Sequence, residues 1–174
     1  MFYELSRNPE VEAKLLQEIA DVGVTHDETP TVEQVSQLKY LHKVIKETLR
    51  KYPPVQILYK YCKKDYVVPG GYLVKADASA EVNVFAMHYN PKVYPDPERF
   101  DPERFSPEEE QKRSQFSWLP FSTGPRGCLG MAFAIQEMKV VVPMLLHRFK
   151  FFYGKSIEFI LYVYTYSFLF FFYL

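Results

Sequence analysis

The chain has 174 residues, the length of one ordinary domain, and 48% of them are hydrophobic, enough for a packed core. Its 21 basic residues balance 21 acidic ones, so no charge excess argues for nucleic acid or for an anionic surface. Two cysteines without a framework of spacings argue against a disulfide scaffold and for a reducing compartment.

The opening "MFYELSRNPEVEAKLL" is amphipathic and charged, unlike a secretory leader. Asn8-Pro9 predicts an N-cap followed by proline at the first helical position. Val11, Leu15, Ile19 and Val22 then fall on one face of a helix. After the polar break "GVTHDETP", Thr31 and Gln34 fit a capping box. One helix is expected from there to residue 52, with Val35, Leu38, Leu41, Ile45, Leu49 and Tyr52 at steps of three or four. Pro53-Pro54 stops it. Between 55 and 87, "QILYKYC", "YVV", "YLV" and "AEVNVFAM" predict strands, with a turn at Pro69-Gly70-Gly71. Residues 90–120 are proline-rich, carry "DPERF" twice, and read as an irregular meander packed by aromatics. Within them "SPEEEQKR" is a solvated charge run. A last helix, "GMAFAIQEMKVVVPMLLHRF", holds Pro143, which should kink it or free a backbone carbonyl. The expected fold class is mainly α with a small β region, α+β.

The last residues differ in composition. "IEFILYVYTYSFLFFFYL" (157–174) is nearly unbroken apolar and aromatic sequence with Glu158 as its only charge. Residues 154–174 are therefore set apart as a hydrophobic tail, read either as a membrane anchor or as a misread end of the coding sequence. Residues 1–153 are expected to carry the chemistry.

The stretch "FSTGPRGCLG", Phe121 to Gly130, places Cys128 in a frame of glycines. A lone cysteine is most often a small buried hydrophobe. A nucleophile needs a base and an orienting group, and no such set is evident. Zinc wants about four ligands, and the cysteines and histidines show no paired spacing. A metal that accepts a single thiolate fits better, and haem iron does so. Gly124, Gly127 and Gly130 then let the backbone turn tightly beside a flat ligand. Cys128 lies at the start of the following helix, where the dipole favours a thiolate. Arg126 can meet an anionic propionate, and Phe121 can shield the sulfur from water.

This stretch resembles the haem-binding signature of cytochromes P450, Phe-x-x-Gly-x-Arg-x-Cys-x-Gly, at Phe121, Gly124, Arg126, Cys128 and Gly130. "ETLR" places Glu47 and Arg50 one turn apart, similar to the family's Glu-x-x-Arg. "FDPERF" resembles its Phe-x-Pro-Glu-Arg-Phe, which implies Arg104 as third member of a Glu–Arg–Arg network. The resemblance covers about residues 1 to 150 and is nearest in texture to the fatty-acid-hydroxylating branch of eukaryotic microsomal members.

The resemblance implies the C-terminal third of an incomplete P450 fold, with haem b ligated by Cys128. It implies a haem-iron monooxygenase that inserts one atom of O₂ into a lipophilic substrate. An NAD(P)H-dependent reductase would supply electrons at the cytoplasmic face of the endoplasmic reticulum membrane. No residue of this chain is assigned to distal oxygen activation, so no catalytic residue is named. Lys60 stands where related sequences carry a propionate-binding arginine, and keeps the charge without the bidentate fork. "VPGGYLVKADAS" departs from the usual turn, so that hairpin is expected to be altered. Residues 55–59, "VQILY", are the stretch left to line a substrate pocket, and Trp118, Leu119 and Pro120 one to wall a haem edge. Lys112 and Arg113 are weak candidates for reductase contact. Cys62 reads as a packing residue, His88 as a partly buried polar one and His147 as a C-terminal helix cap. Two other readings stay open: a non-catalytic P450 fragment, and a tail-anchored interaction protein that keeps a P450 remnant.

Overall fold

The computed structural model of the chain describes residues 1–25, 28–153, 160–164 and 169–173. The chain divides into two compact units. The first comprises Met1–Thr48, Phe100–Lys112 and Leu129–Leu174, and the second Leu49–Arg99 and Arg113–Cys128.

In the first unit, α1 (Phe2–Arg7) leads into α2 (Pro9–Asp21). Pro9 takes the first helical position of α2, but Asn8 places no side-chain cap there. Its amide instead donates to the Glu4 carbonyl at 2.8 Å, satisfying the end of α1. Val11, Leu15 and Ile19 are buried as the apolar spacing requires. The capping box forms: Thr31 receives the Gln34 N–H, and the Gln34 side chain accepts the Thr31 N–H at 2.9 Å.

The single helix expected over 31–52 is instead two, α3 (Val32–Gln37) and α4 (Lys39–Lys51). Leu38 breaks the run with φ −72° and ψ 76°. The cause lies in α2: the Glu18 carboxylate accepts the backbone N–H groups of Tyr40 and Leu41 at 2.6 and 2.8 Å. An anion on those donors starts a new helix, and the dipole of α4 favours it.

The last helix, α7 (Met131–Arg148), runs on through Pro143. Proline has no N–H, so the carbonyl of Lys139 receives no helical bond from it. Buried Lys139 donates from Nζ to the Val35 carbonyl at 3.2 Å, and burial lowers the pKa of its amine. His147 lies in the last turn of the helix, where a C-terminal cap is expected, and its Nε2–H donates to the Val24 carbonyl at 2.9 Å. Strands β5 (Ile160–Tyr164) and β6 (Leu169–Tyr173) pair antiparallel, Ile160 opposite Tyr173. The rest of the expected tail lies outside the described residues. Among the described residues no helix is long and apolar enough to cross a membrane.

In the second unit, β1 (Ile57–Tyr61) pairs antiparallel with β4 (Ser79–Asn83), Ile57 opposite Asn83 and Tyr61 opposite Ser79. Between them β2 (Tyr66–Val67) and β3 (Leu73–Val74) form a short hairpin. Gly70 and Gly71 turn it at φ 99° and 84°, angles that L side chains rarely adopt. "VFAM" is not strand, as its apolar run suggested, but the start of α5 (Val84–His88). The Asn83 side chain caps it by accepting the Ala86 N–H at 2.8 Å, and the Gln56 carbonyl accepts the Val84 N–H at 2.8 Å. Val84 and His88, one turn apart, are both buried.

The proline-rich meander is more regular than its composition suggested. It holds 3₁₀ turns at Pro102–Phe105 and Gln115–Ser117, and "SPEEEQKR" contains α6 (Pro107–Gln111), capped by Ser106. Three glutamates in its first turn suit that helix end.

Candidate functional site

The loop ahead of α7 is built from backbone constraints. After Ser122, at φ 61°, Gly124 sits at φ 76° and opens a 3₁₀ turn, Gly124–Arg126, with Pro125 inside it. The Gly127 N–H closes that turn on the Gly124 carbonyl at 2.9 Å, and the Cys128 N–H donates to the Phe121 carbonyl at 2.9 Å. A Cβ on Gly127 would lie 3.2 Å from the Gly124 oxygen, tighter than ordinary van der Waals contact. Of the three glycines, backbone angle demands only Gly124: Gly127, at φ −64°, and Gly130, which caps α7 at φ −83°, have ordinary values. The helix starts at Met131, which leaves Cys128 ahead of its first turn rather than within it.

Cys128 is exposed, and its sulfur has no hydrogen-bond partner among the described residues. Arg126 on the same loop and Lys60 on β1 are exposed and likewise form no ion pair there. The rings of Phe121 and Trp118 meet edge-on at 6.3 Å, and Leu119 and Pro120 are buried. Cys62 is half-buried, with its S–H donating to the Lys64 carbonyl at 3.0 Å.

The other motif residues are buried. Glu47 has no exposed surface; its Oε1 accepts the Asp101 N–H at 2.9 Å and lies 3.6 Å from Nε of Arg104. Arg50, also fully buried, donates to the carbonyls of His88 at 3.0 Å and Pro97 at 2.8 Å. Its guanidinium lies over the rings of Tyr89 and Tyr94 at 5.6 and 5.3 Å. Next to it Lys51 donates to the Glu98 carbonyl at 2.6 Å. Arg50 thus binds main chain with a planar fork, a task that lysine could not copy.

Comparison with known proteins decides the family. The cytochrome P450 family model matches residues 1–162. The chain belongs to the cytochrome P450 family. It is 42% identical over 153 residues to cytochrome P450 4F5 of Rattus norvegicus, covering 86% of this chain and 29% of that protein. Cytochrome P450 6B1 of Papilio polyxenes is 43% identical over 151 residues, covering 86% and 30%. Cytochrome P450 6k1 of Blattella germanica is 41% identical over 149 residues, covering 85% and 28%. The chain thus spans under a third of the length of these relatives.

As a P450 chain it carries working residues that its motifs did not announce. Glu103, in the second "DPERF", holds Lys14 of α2 and Lys43 of α4, the latter at 2.7 Å. Those two hydrogen bonds, and then the two positive charges, hold its pKa below the usual 4.5. Arg113 is committed to the Tyr94 ring at 4.8 Å, while Lys112 pairs with Glu109 at 2.6 Å. His88 is fully rather than partly buried, and both its ring nitrogens are bonded: Nδ1 to the Arg50 carbonyl at 3.1 Å and Nε2 to the Leu119 N–H at 3.0 Å. Burial, and secondarily the Arg50 charge, push its pKa down to about 4 against a backbone bond that raises it. No cluster of three or more His, Cys, Asp or Glu among the described residues could hold a metal ion. The loop thus offers a single soft donor, with one cation, Arg126, on the same loop that forms no ion pair among the described residues, and a backbone that crowds any Cβ at Gly127.

Proposed function

We propose that the chain supplies the cysteine-ligated haem portion of a P450 monooxygenase, with Cys128 as axial ligand of haem b iron. The observation that carries this reading is the Cys128 loop. An exposed, uncommitted thiol sits in a turn pinned by the Cys128 N–H to Phe121 bond, with a glycine at the one position whose Cβ would meet the loop's own carbonyl.

The residues fit the group. Cys128 would bind as the thiolate, and Arg126 and Lys60, which form no ion pair among the described residues, would neutralise the propionates. Phe121, braced by Trp118, would limit water at the sulfur. Thiolate-ligated haem, once bound, supplies the oxygen activation that places one atom of O₂ in a C–H bond. The protein's own share here is ligation, charge neutralisation and a fixed backbone. Glu47, Arg50 and Arg104 act as a structural network, remote in role from the reacting atoms.

In the same reading the haem-binding portion is residues 1–153, the tail 154–174 is separate, and 55–59 faces the substrate. Exposed Val55 and Tyr59 support that last assignment. A lipophilic substrate, an NAD(P)H-dependent reductase and the endoplasmic reticulum membrane follow from the family. The test is the reduced, CO-bound difference spectrum of the haem-loaded chain beside Cys128→Ala. The expected result is a red-shifted thiolate band that the variant loses. No band, or one indifferent to Cys128, would overturn ligation and favour a chain that keeps the signature without the cofactor.

A further inference from the structure

We propose that His88 is a positioning residue for the Cys128 loop, tying the chain that enters the loop to the last turn of α4 through both ring nitrogens. The inference rests on the reading of Cys128 as the haem ligand.

Leu119 donates its N–H to Nε2 of His88, so that nitrogen must be bare. Nδ1 then carries the proton and donates to the Arg50 carbonyl, which fixes one neutral tautomer. From Leu119 the bonds continue into the loop. The Leu119 carbonyl accepts the Ser122 N–H at 3.1 Å, and the Phe121 carbonyl between them accepts the Cys128 N–H at 2.9 Å. The backbone of the cysteine loop is thus hung from a histidine 31 residues upstream of its anchor point.

The neighbours reinforce this role. Tyr94 meets the His88 ring edge-on at 6.3 Å and sends its hydroxyl to the Ser117 carbonyl at 3.1 Å. The entering segment is therefore held at Ser117 and again at Leu119. Arg50 is the charged group facing the ring, and its guanidinium donates to the His88 carbonyl at 3.0 Å. A second positive charge on the ring would face that guanidinium and remove the acceptor that Leu119 uses. Both features select the neutral ring, and the cysteine loop inherits the order that results.

The test separates the two nitrogens. In His88→Gln the side-chain oxygen reaches the place of Nε2 and can accept the Leu119 N–H. In His88→Asn the shorter amide reaches only the place of Nδ1, leaving Leu119 unpaired. Residue-resolved amide exchange is measured on the whole chain. His88→Asn is expected to speed exchange at Leu119, Ser122 and Cys128 about tenfold, the usual effect of orphaning a buried donor, with α2 amides unchanged. His88→Gln should stay within about threefold of the parent. Unmoved loop amides in a folded His88→Asn chain, or equal acceleration by both variants in loop and α2 alike, would overturn the proposal. Should His88→Asn not fold, the nitrogen-15 spectrum of the parent ring decides: bare Nε2 is required, and a proton there at neutral pH refutes the role. The CO band keeps the readings apart. A Cys128-independent band with the exchange pattern intact sinks ligation, whereas a Cys128-dependent band with unmoved amides sinks His88.

Discussion

Acidification should destabilise the chain through His88 before most of its carboxylates titrate. The ring's pKa falls from an ordinary 6.5 to about 4 in the fold, chiefly through burial. Between those values the unfolded chain binds a proton that the folded chain refuses, so stability falls as pH falls. Each pH unit of the gap is worth about 1.4 kcal/mol, which gives ~2 kcal/mol lost at about pH 5 and ~3 kcal/mol near pH 4. Below about pH 4 both states are protonated and this loss stops growing. Glu103, with a depressed pKa, loses its contribution only as pH drops below its ordinary 4.5, so it marks the lower end of the window. The assay is urea unfolding at several pH values for the parent and for His88→Gln. Subtracting the two removes every other titrating group. With a urea slope of roughly 2 kcal/mol per molar, the parent's midpoint should fall relative to that of the variant by about 1.5 M between pH 7 and pH 4. A difference that stays flat across that range would mean that His88 titrates alike in both states, and the buried neutral ring would be the wrong description.

Three further substitutions probe the framework. Glu47→Gln keeps an acceptor for the Asp101 N–H but leaves Arg104, almost fully buried, without its carboxylate. We expect a loss of about 3 kcal/mol, read as a urea midpoint shift, and a cost under about 1 kcal/mol would show the pair to be dispensable. Gly124→Ala adds a Cβ where nothing lies within 4 Å but at φ 76°, so it should cost about 1 kcal/mol from backbone strain alone. Faster Cys128 amide exchange without change in α2 is the expected signature, and unchanged loop exchange would contradict it. Glu18→Ala removes the carboxylate that caps α4 and should cost about 1–2 kcal/mol in thermal or urea unfolding. No loss there would mean that the break at Leu38 has another cause.

What the sequence disclosed was local. The capping box of Thr31 and Gln34 and the turn at Gly70-Gly71 were legible because all their partners lie within a few residues. The Cys128 frame was legible for the same reason. The break at Leu38 was not, since Glu18, 22 residues before Tyr40, imposes it. Likewise "VFAM" has strand propensity, yet the Asn83 cap and the Gln56 carbonyl make it helix. His88 stood in the sequence as an unremarkable polar residue because its partners, Arg50 and Leu119, lie 38 and 31 residues away. The bond that His147, in the last turn of α7, makes to the Val24 carbonyl was hidden on the same ground, its acceptor being 123 residues off.

The doubled "DPERF" carries this lesson furthest. Its two copies are identical in sequence, so nothing local can distinguish their tasks. In the second unit the first copy offers main-chain acceptors, the Pro97 and Glu98 carbonyls accepting from Arg50 and Lys51. In the first unit the second copy adds its side chains, Glu103 holding Lys14 and Lys43 while Arg104 faces Glu47, whose carboxylate also accepts the Asp101 N–H. The division follows from α4, which carries Lys43 and Glu47 before the boundary at Thr48 and Arg50 and Lys51 after it. Buried cations need acceptors wherever they are placed, and a rigid proline turn offers carbonyls as readily as carboxylates. Position along the helix, rather than the pentapeptide itself, assigns each copy its chemistry.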